Sequence, residues 1–118
     1  MLEIKAFIRV NVVDRVVASL EAVGVSNITV IDVRAIWTGL KRAPSDVQYS
    51  LELAERYMNV AKLETVVHPE NVEMVMEVIR TAARTGRPGD GVVYALPVHS
   101  LVHIATGRRG EDALPRGS

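Results

Sequence analysis

The chain contains no cysteine. That absence removes disulfides, thiolate catalysis and cysteine-type zinc sites in one step. Aromatic residues make up only 4% of the sequence, too few for a platform on which nucleic-acid bases stack. A surplus of charge is missing too: 14 Lys and Arg offset 14 Asp and Glu, and the formal net charge is zero. Nucleic acid is recognised by a basic face, so no nucleic-acid partner is expected. No apolar run approaches the roughly 18 residues of a membrane span, so no membrane insertion is expected. The opening residues, with Glu3 and Lys5 among them, form no apolar signal core. The expected compartment is the cytoplasm.

What is present is 118 residues with 48% apolar content, enough for one modest core. Residues 1–114 read as a single domain. The closing Pro115-Arg116-Gly117-Ser118 reads as a protease-site scar from an expression tag, outside the fold.

Residues 2–10 alternate, with Leu2, Ile4, Ala6, Ile8 and Val10 on one face and Glu3, Lys5 and Arg9 on the other; Phe7 is the exception. This is the pattern of a half-buried strand. Asn11 is placed to cap the helix that follows, and Asp14 favours its positive end. Val13, Val16, Val17, Leu20 and Val23 recur at helical spacing, and Gly24 supplies the stop. The β-branched residues 27–37 predict a second strand. Residues 39–57 are polar and too long for an ordinary connection, so a functional or mobile segment is expected there.

Residues 58–67 predict a third strand, with Ala61, Leu63, Thr65 and Val67 facing one way and Lys62 and Glu64 the other. Pro69 suits the first turn of a second helix, whose apolar stripe is Val72, Val75, Met76, Ile79 and Ala83. Residues 92–96 predict a fourth, more deeply buried strand. Pro97 ends it, and Val98 to Ala105 is read as a turn and a fifth strand. The order is that of an α+β, ferredoxin-like βαββαβ sandwich, with both helices on one sheet face. Val30, Val60 and Val66 are assigned to the other face, whose apolar surface calls for a second subunit.

The run from Gly86 to Gly91 is the most informative local feature. Three glycines around Pro88 and Asp90 leave main-chain N–H groups free to cradle an anion. An ordinary tight turn is the competing reading. Asp90 reads as a residue that orders this loop. No Ser-His-acid arrangement has supporting context, so no enzyme is expected.

Thr85-Gly86-Arg87-Pro88-Gly89-Asp90-Gly91-Val92-Val93-Tyr94 resembles the C-terminal signature of the PII signal-transduction (nitrogen regulatory protein P-II) family, Thr-Gly-x-x-Gly-Asp-Gly-Lys/Arg-Ile/Val-Phe. The tail from His103 to Ala113 is similar to that family's Arg-Ile-Arg-Thr-Gly ending. Ile4, Ile8, Leu20, Gly24, Thr29, Val30 and Val33 agree in register. The resemblance implies a homotrimer with adenine nucleotide (AMP, ADP or ATP) in three clefts between subunits. It implies that residues 39–57 are the T-loop, which docks onto a target protein such as a transporter or metabolic enzyme. A small-molecule effector would regulate that docking, with no required cofactor.

Carried over residue by residue, the resemblance assigns Thr29, Glu64, Gly89, Asp90, Gly91 and Arg108 to nucleotide binding. It assigns Lys41, Arg42 and Tyr49 to the docking loop. For Glu64 an exposed strand carboxylate is the competing reading, and for Arg34, Lys41, Arg42 and Arg87 a solvated charge. Several of the family's cations are replaced here. Val92 follows Gly-Asp-Gly, and His103 and Ala105 stand for the two arginines of Arg-Ile-Arg. Ala35-Ile36-Trp37-Thr38 replaces Gly-x-Gly-Arg, Gly39 replaces a glutamine, and Val60 replaces the lysine that pairs with 2-oxoglutarate. Each lost charge-assisted contact is worth about 1.5–3 kcal/mol, so a weaker grip on a triphosphate follows. His99 and His103, four apart, offer an alternative: a metal-ion binding trimer of CutA-like type, with copies gathered on a three-fold axis.

Overall fold

The structure is a computed structural model and describes residues 1–35 and 59–115. The expected docking segment 39–57, with Lys41, Arg42 and Tyr49, and also Trp37, lies outside the described residues.

Alternation produces the first strand, β1 (Leu2–Arg9), in which Ile4, Ala6 and Ile8 are buried. The chain then tightens into a 3-10 turn, Val10–Val12, that runs into helix α1 (Val13–Ala22). Asn11 does not cap this helix: it lies inside the turn, and no side chain bonds the first N–H groups. Asp14 does sit in the first turn. Val16 and Leu20 are buried, whereas Val23 lies past the last helical residue and is exposed. Gly24 turns the chain with φ +90°, a conformation that disfavours any Cβ.

Strand β2 (Thr29–Arg34) and strand β3 (Asn59–Val67) pair antiparallel, Thr29 opposite Glu64 and Val33 opposite Val60. Pro69 opens a 3-10 turn, Pro69–Asn71, that leads into helix α2 (Val72–Ala83). Val72, Val75, Ile79, Ala82 and Ala83 are its buried face. Strand β4 (Val92–Pro97) completes a four-stranded sheet of order β2-β3-β1-β4, with β1 antiparallel to both neighbours. This is the ferredoxin-like sandwich expected from the element order.

Both helices cover the face carrying Ile4, Ala6, Ile8, Ala61, Leu63, Thr65 and Val67. Burying a side chain such as Leu20 or Ile79 is worth about 1.5–3 kcal/mol. The Arg15 guanidinium donates to the Ala82 carbonyl at 2.6 Å and clips α1 to the last turn of α2, where carbonyls lack helical partners. Thr65, the buried polar residue of this layer, donates to Asn27, whose amide donates to the Val66 carbonyl.

Three expectations are corrected. Val30 sits opposite Leu63 and therefore faces the helices, because directly paired residues share a sheet face; Ile31 and Val33 take the other face. Strand β4 is not deeply buried. It is an edge strand, with Val92 60% and Tyr94 42% exposed. Beyond Pro97 there is no fifth strand among the described residues, only a single bridge between Val102 and Arg109. Phe7 is explained: it lies on the polar face and stacks on Tyr94 at 6.4 Å between ring centres.

Candidate functional site

The loop between α2 and β4 is built around one carboxylate. Asp90 accepts from the Thr85 N–H at 2.9 Å, from the Gly86 N–H at 3.0 Å and from the Thr85 hydroxyl. The Thr85 hydroxyl accepts in turn from the Arg87 N–H at 3.2 Å. From β1, Arg9 reaches across with Nε to Asp90 at 3.1 Å and with Nη2 to the Pro88 carbonyl at 2.7 Å. The Thr85 hydroxyl and N–H, with Arg9 and the Gly86 N–H, hold the Asp90 carboxyl well below the usual carboxylate range.

Two of the N–H groups expected to face an anion are thus already satisfied, Gly86 by Asp90 and Arg87 by Thr85. The loop holds an anion of its own. Gly91 has a separate reason: a Cβ there would lie 1.7 Å from the Phe7 carbonyl oxygen. Its φ of +97° disfavours other residues as well.

On its outer side the loop borders a cavity of about 550 Å³. Phe7, Val60 and Val92 supply apolar wall, and Arg87, Gly89 and Asp90 supply the polar rim. An apolar slot with one exposed arginine at its edge suits a flat ring carrying a negative group.

The other candidates do not join this cavity within one chain. Thr29 and Glu64 face each other across β2 and β3. The Glu64 carboxylate is paired with Lys62 Nζ at 2.9 Å. That contact lowers the glutamate's pKa and raises the lysine's from their ordinary values. Arg108 is exposed on the tail turn, where its carbonyl accepts from the His103 N–H at 2.8 Å and its N–H donates to the Thr106 hydroxyl. His103 is occupied at Nδ1 by Thr106. Neither His99 nor His103 belongs to a cluster of three metal donors among the described residues.

Arg9 and Thr85 are functional scaffolding that sequence reasoning did not single out. Arg9 is 81 positions from Asp90. Its only signal is a basic side chain ending a strand on the polar face.

A sequence model of the family Nitrogen regulatory protein P-II matches residues 1–108. The chain belongs to that family. A P-II protein of Rhizobium meliloti is 34% identical over 114 residues, which cover 97% of this chain and all of the relative. One of Azospirillum brasilense is 33% identical over the same length and coverage. Among solved structures, Arabidopsis thaliana PII bound to citrate superposes with a TM-score of 0.76 at 30% identity, covering 95% of this chain and 87% of that one. The P-II match spans the glycine loop and, among the described residues, both helices and all four strands, and it makes this chain a PII-type signal-transduction regulator. These matches lend no support to a CutA-like metal-binding trimer.

Proposed function

We propose that this P-II regulator binds an adenine nucleotide carrying few phosphates, in clefts completed by neighbouring subunits of a homotrimer. The observation that carries this reading is the cavity beside residues 85–91: an apolar wall, the exposed Arg87 as the one cation lining it among the described residues, and a hydrogen-bonded rim. Phe7 and Val60 suit a base. Arg87 suits one or two phosphates rather than three, since Val92, His103 and Ala105 bring no fixed charge. The scatter of Thr29, Glu64 and Arg108 away from the loop also supports a cleft between chains. Citrate bound to the Arabidopsis relative supports a small anionic effector in this family member.

Effector binding would act by population shift on segment 39–57, which docks a cytoplasmic target such as a transporter or metabolic enzyme. No catalytic step is involved; the nucleotide is a signal, not a substrate.

Titration calorimetry with AMP, ADP, ATP, cyclic AMP and citrate tests this. The expected result is binding of AMP or ADP at one site per chain, with ATP no tighter. Val92→Lys is expected to strengthen ATP binding about tenfold or more by restoring one charge-assisted contact. No heat from any compound, with the protein folded and trimeric, overturns the nucleotide reading.

A further inference from the structure

The described residues contain one cluster of metal donors that the P-II reading does not use. His68 follows the last residue of β3. Glu70 lies in the 3-10 turn that leads into α2, and Glu111 lies in another 3-10 turn, Gly110–Ala113, in the tail. One imidazole nitrogen and two carboxylate oxygens from these three side chains all lie within 4.8 Å of one another. His68 Nδ1 is 3.7 Å from Glu111 Oε1. Among the described residues, no Lys or Arg pairs with Glu70 or Glu111. An acidic residue at the start of a helical turn has a simple explanation in the turn's dipole, and it applies to each glutamate alone. It does not explain why both converge on an imidazole from segments some forty residues apart.

We propose that His68, Glu70 and Glu111 bind one divalent transition-metal ion of the Zn²⁺ type, which fastens the tail to the junction of β3 and α2. A nitrogen with two carboxylate oxygens is a donor set for Zn²⁺ and its neighbours, with a fourth position left for water. Bonds of about 2.0–2.2 Å in a tetrahedron separate ligand atoms by about 3.4 Å. The His68–Glu111 distance is close to that, and small side-chain rotations bring in Glu70. All-oxygen cages suit Mg²⁺ and Ca²⁺, so those ions are poorly matched.

The site is separate from the effector cavity. Val60 lines that cavity near the start of β3, and His68 lies beyond its far end, about 26 Å along an extended strand. The metal therefore has a structural consequence of its own. Between Pro97 and Pro115 the chain has one isolated bridge, the turn at residues 103–108 and the short 3-10 turn, and an ion at Glu111 would anchor that stretch to the sandwich.

Equilibrium dialysis of the full chain against Zn²⁺, with Mg²⁺ and Ca²⁺ alongside, tests the assignment. One tightly held Zn²⁺ per chain is expected. His68→Gln and Glu111→Gln should each weaken it at least tenfold, while His99→Gln and His103→Gln should leave it unchanged. Zn²⁺ should also slow amide hydrogen exchange across residues 101–114 in the wild type and not in Glu111→Gln. Glu111 has a largely exposed side chain, so that variant keeps its fold even if the His68 variant does not. No Zn²⁺ binding, or Zn²⁺ binding that Glu111→Gln leaves intact, overturns the proposal. So does exchange in the tail that ignores the ion.

Discussion

A methyl group at position 91 would collide with the Phe7 carbonyl, a main-chain atom that moves only if β1 and β4 separate. Gly86 also has positive φ, yet its surroundings are open. The two glycines therefore respond differently to alanine. Gly86→Ala should cost about 1–2 kcal/mol, the backbone penalty alone. Gly91→Ala adds about 1–3 kcal/mol of crowding. Urea unfolding of the two variants should rank them in that order. Asp90 supplies a pH dependence whose sign is fixed. Its carboxyl releases its proton more readily in the folded protein than in the unfolded chain. Its contribution is complete above the ordinary carboxylate pKa and fades as pH falls below about 4. Melting temperature followed from pH 7 to pH 3 should fall more steeply for the wild type than for Asp90→Asn, which starts lower.

At the scale of elements, α2 owes its place to one stripe. Ile79 is buried at its centre, while Met74 on the same helix is 38% exposed. Ile79→Ala should lose about 2–5 kcal/mol. Met74→Ala should stay within about 0.5 kcal/mol, and thermal unfolding separates the two. The stripe of α2 and the alternation of β1 and β3 were legible because each buries one face and shows its period. Strand β2 was legible as a strand from its β-branched run, but its facing was not: five of its six residues are exposed, and nothing in the pattern says which way Val30 points. The exposure of β4 depends on its place at the sheet edge, a property of topology that Val92-Val93-Tyr94-Ala95-Leu96 does not carry. The glycine loop was readable as a motif. Its inner wiring was not, because Arg9 is joined to Asp90 only by the fold.

At the scale of the whole molecule, the sheet face away from the helices has two characters. Lys5 pairs with Glu3 and Lys62 with Glu64, giving a charged centre. Ile31 and Val92 near the two edges, with the Phe7–Tyr94 stack, are apolar and accessible. Subunits meeting edge to edge would cover the apolar flanks. In the trimer proposed here, Ile31→Asp combined with Tyr94→Asp should convert a three-fold assembly to single chains in sedimentation velocity, with near-native circular dichroism. The same variant should lose effector binding if the cleft lies between chains. Glu64→Gln, which weakens the charged centre formed with Lys62, Lys5 and Glu3, should leave the assembly intact.

Strand β1 is held on both sides by partners made after it. The first of them, β3, begins fifty residues downstream of Arg9, and β4 comes later still. On a ribosome adding about 5–20 residues per second, that interval is roughly 3–10 seconds. Through it, Leu2, Ile4, Phe7 and Ile8 remain an unpaired apolar ribbon that a nascent-chain chaperone can hold. Yield in a host short of such chaperones should depend on those β1 residues more than on any other strand.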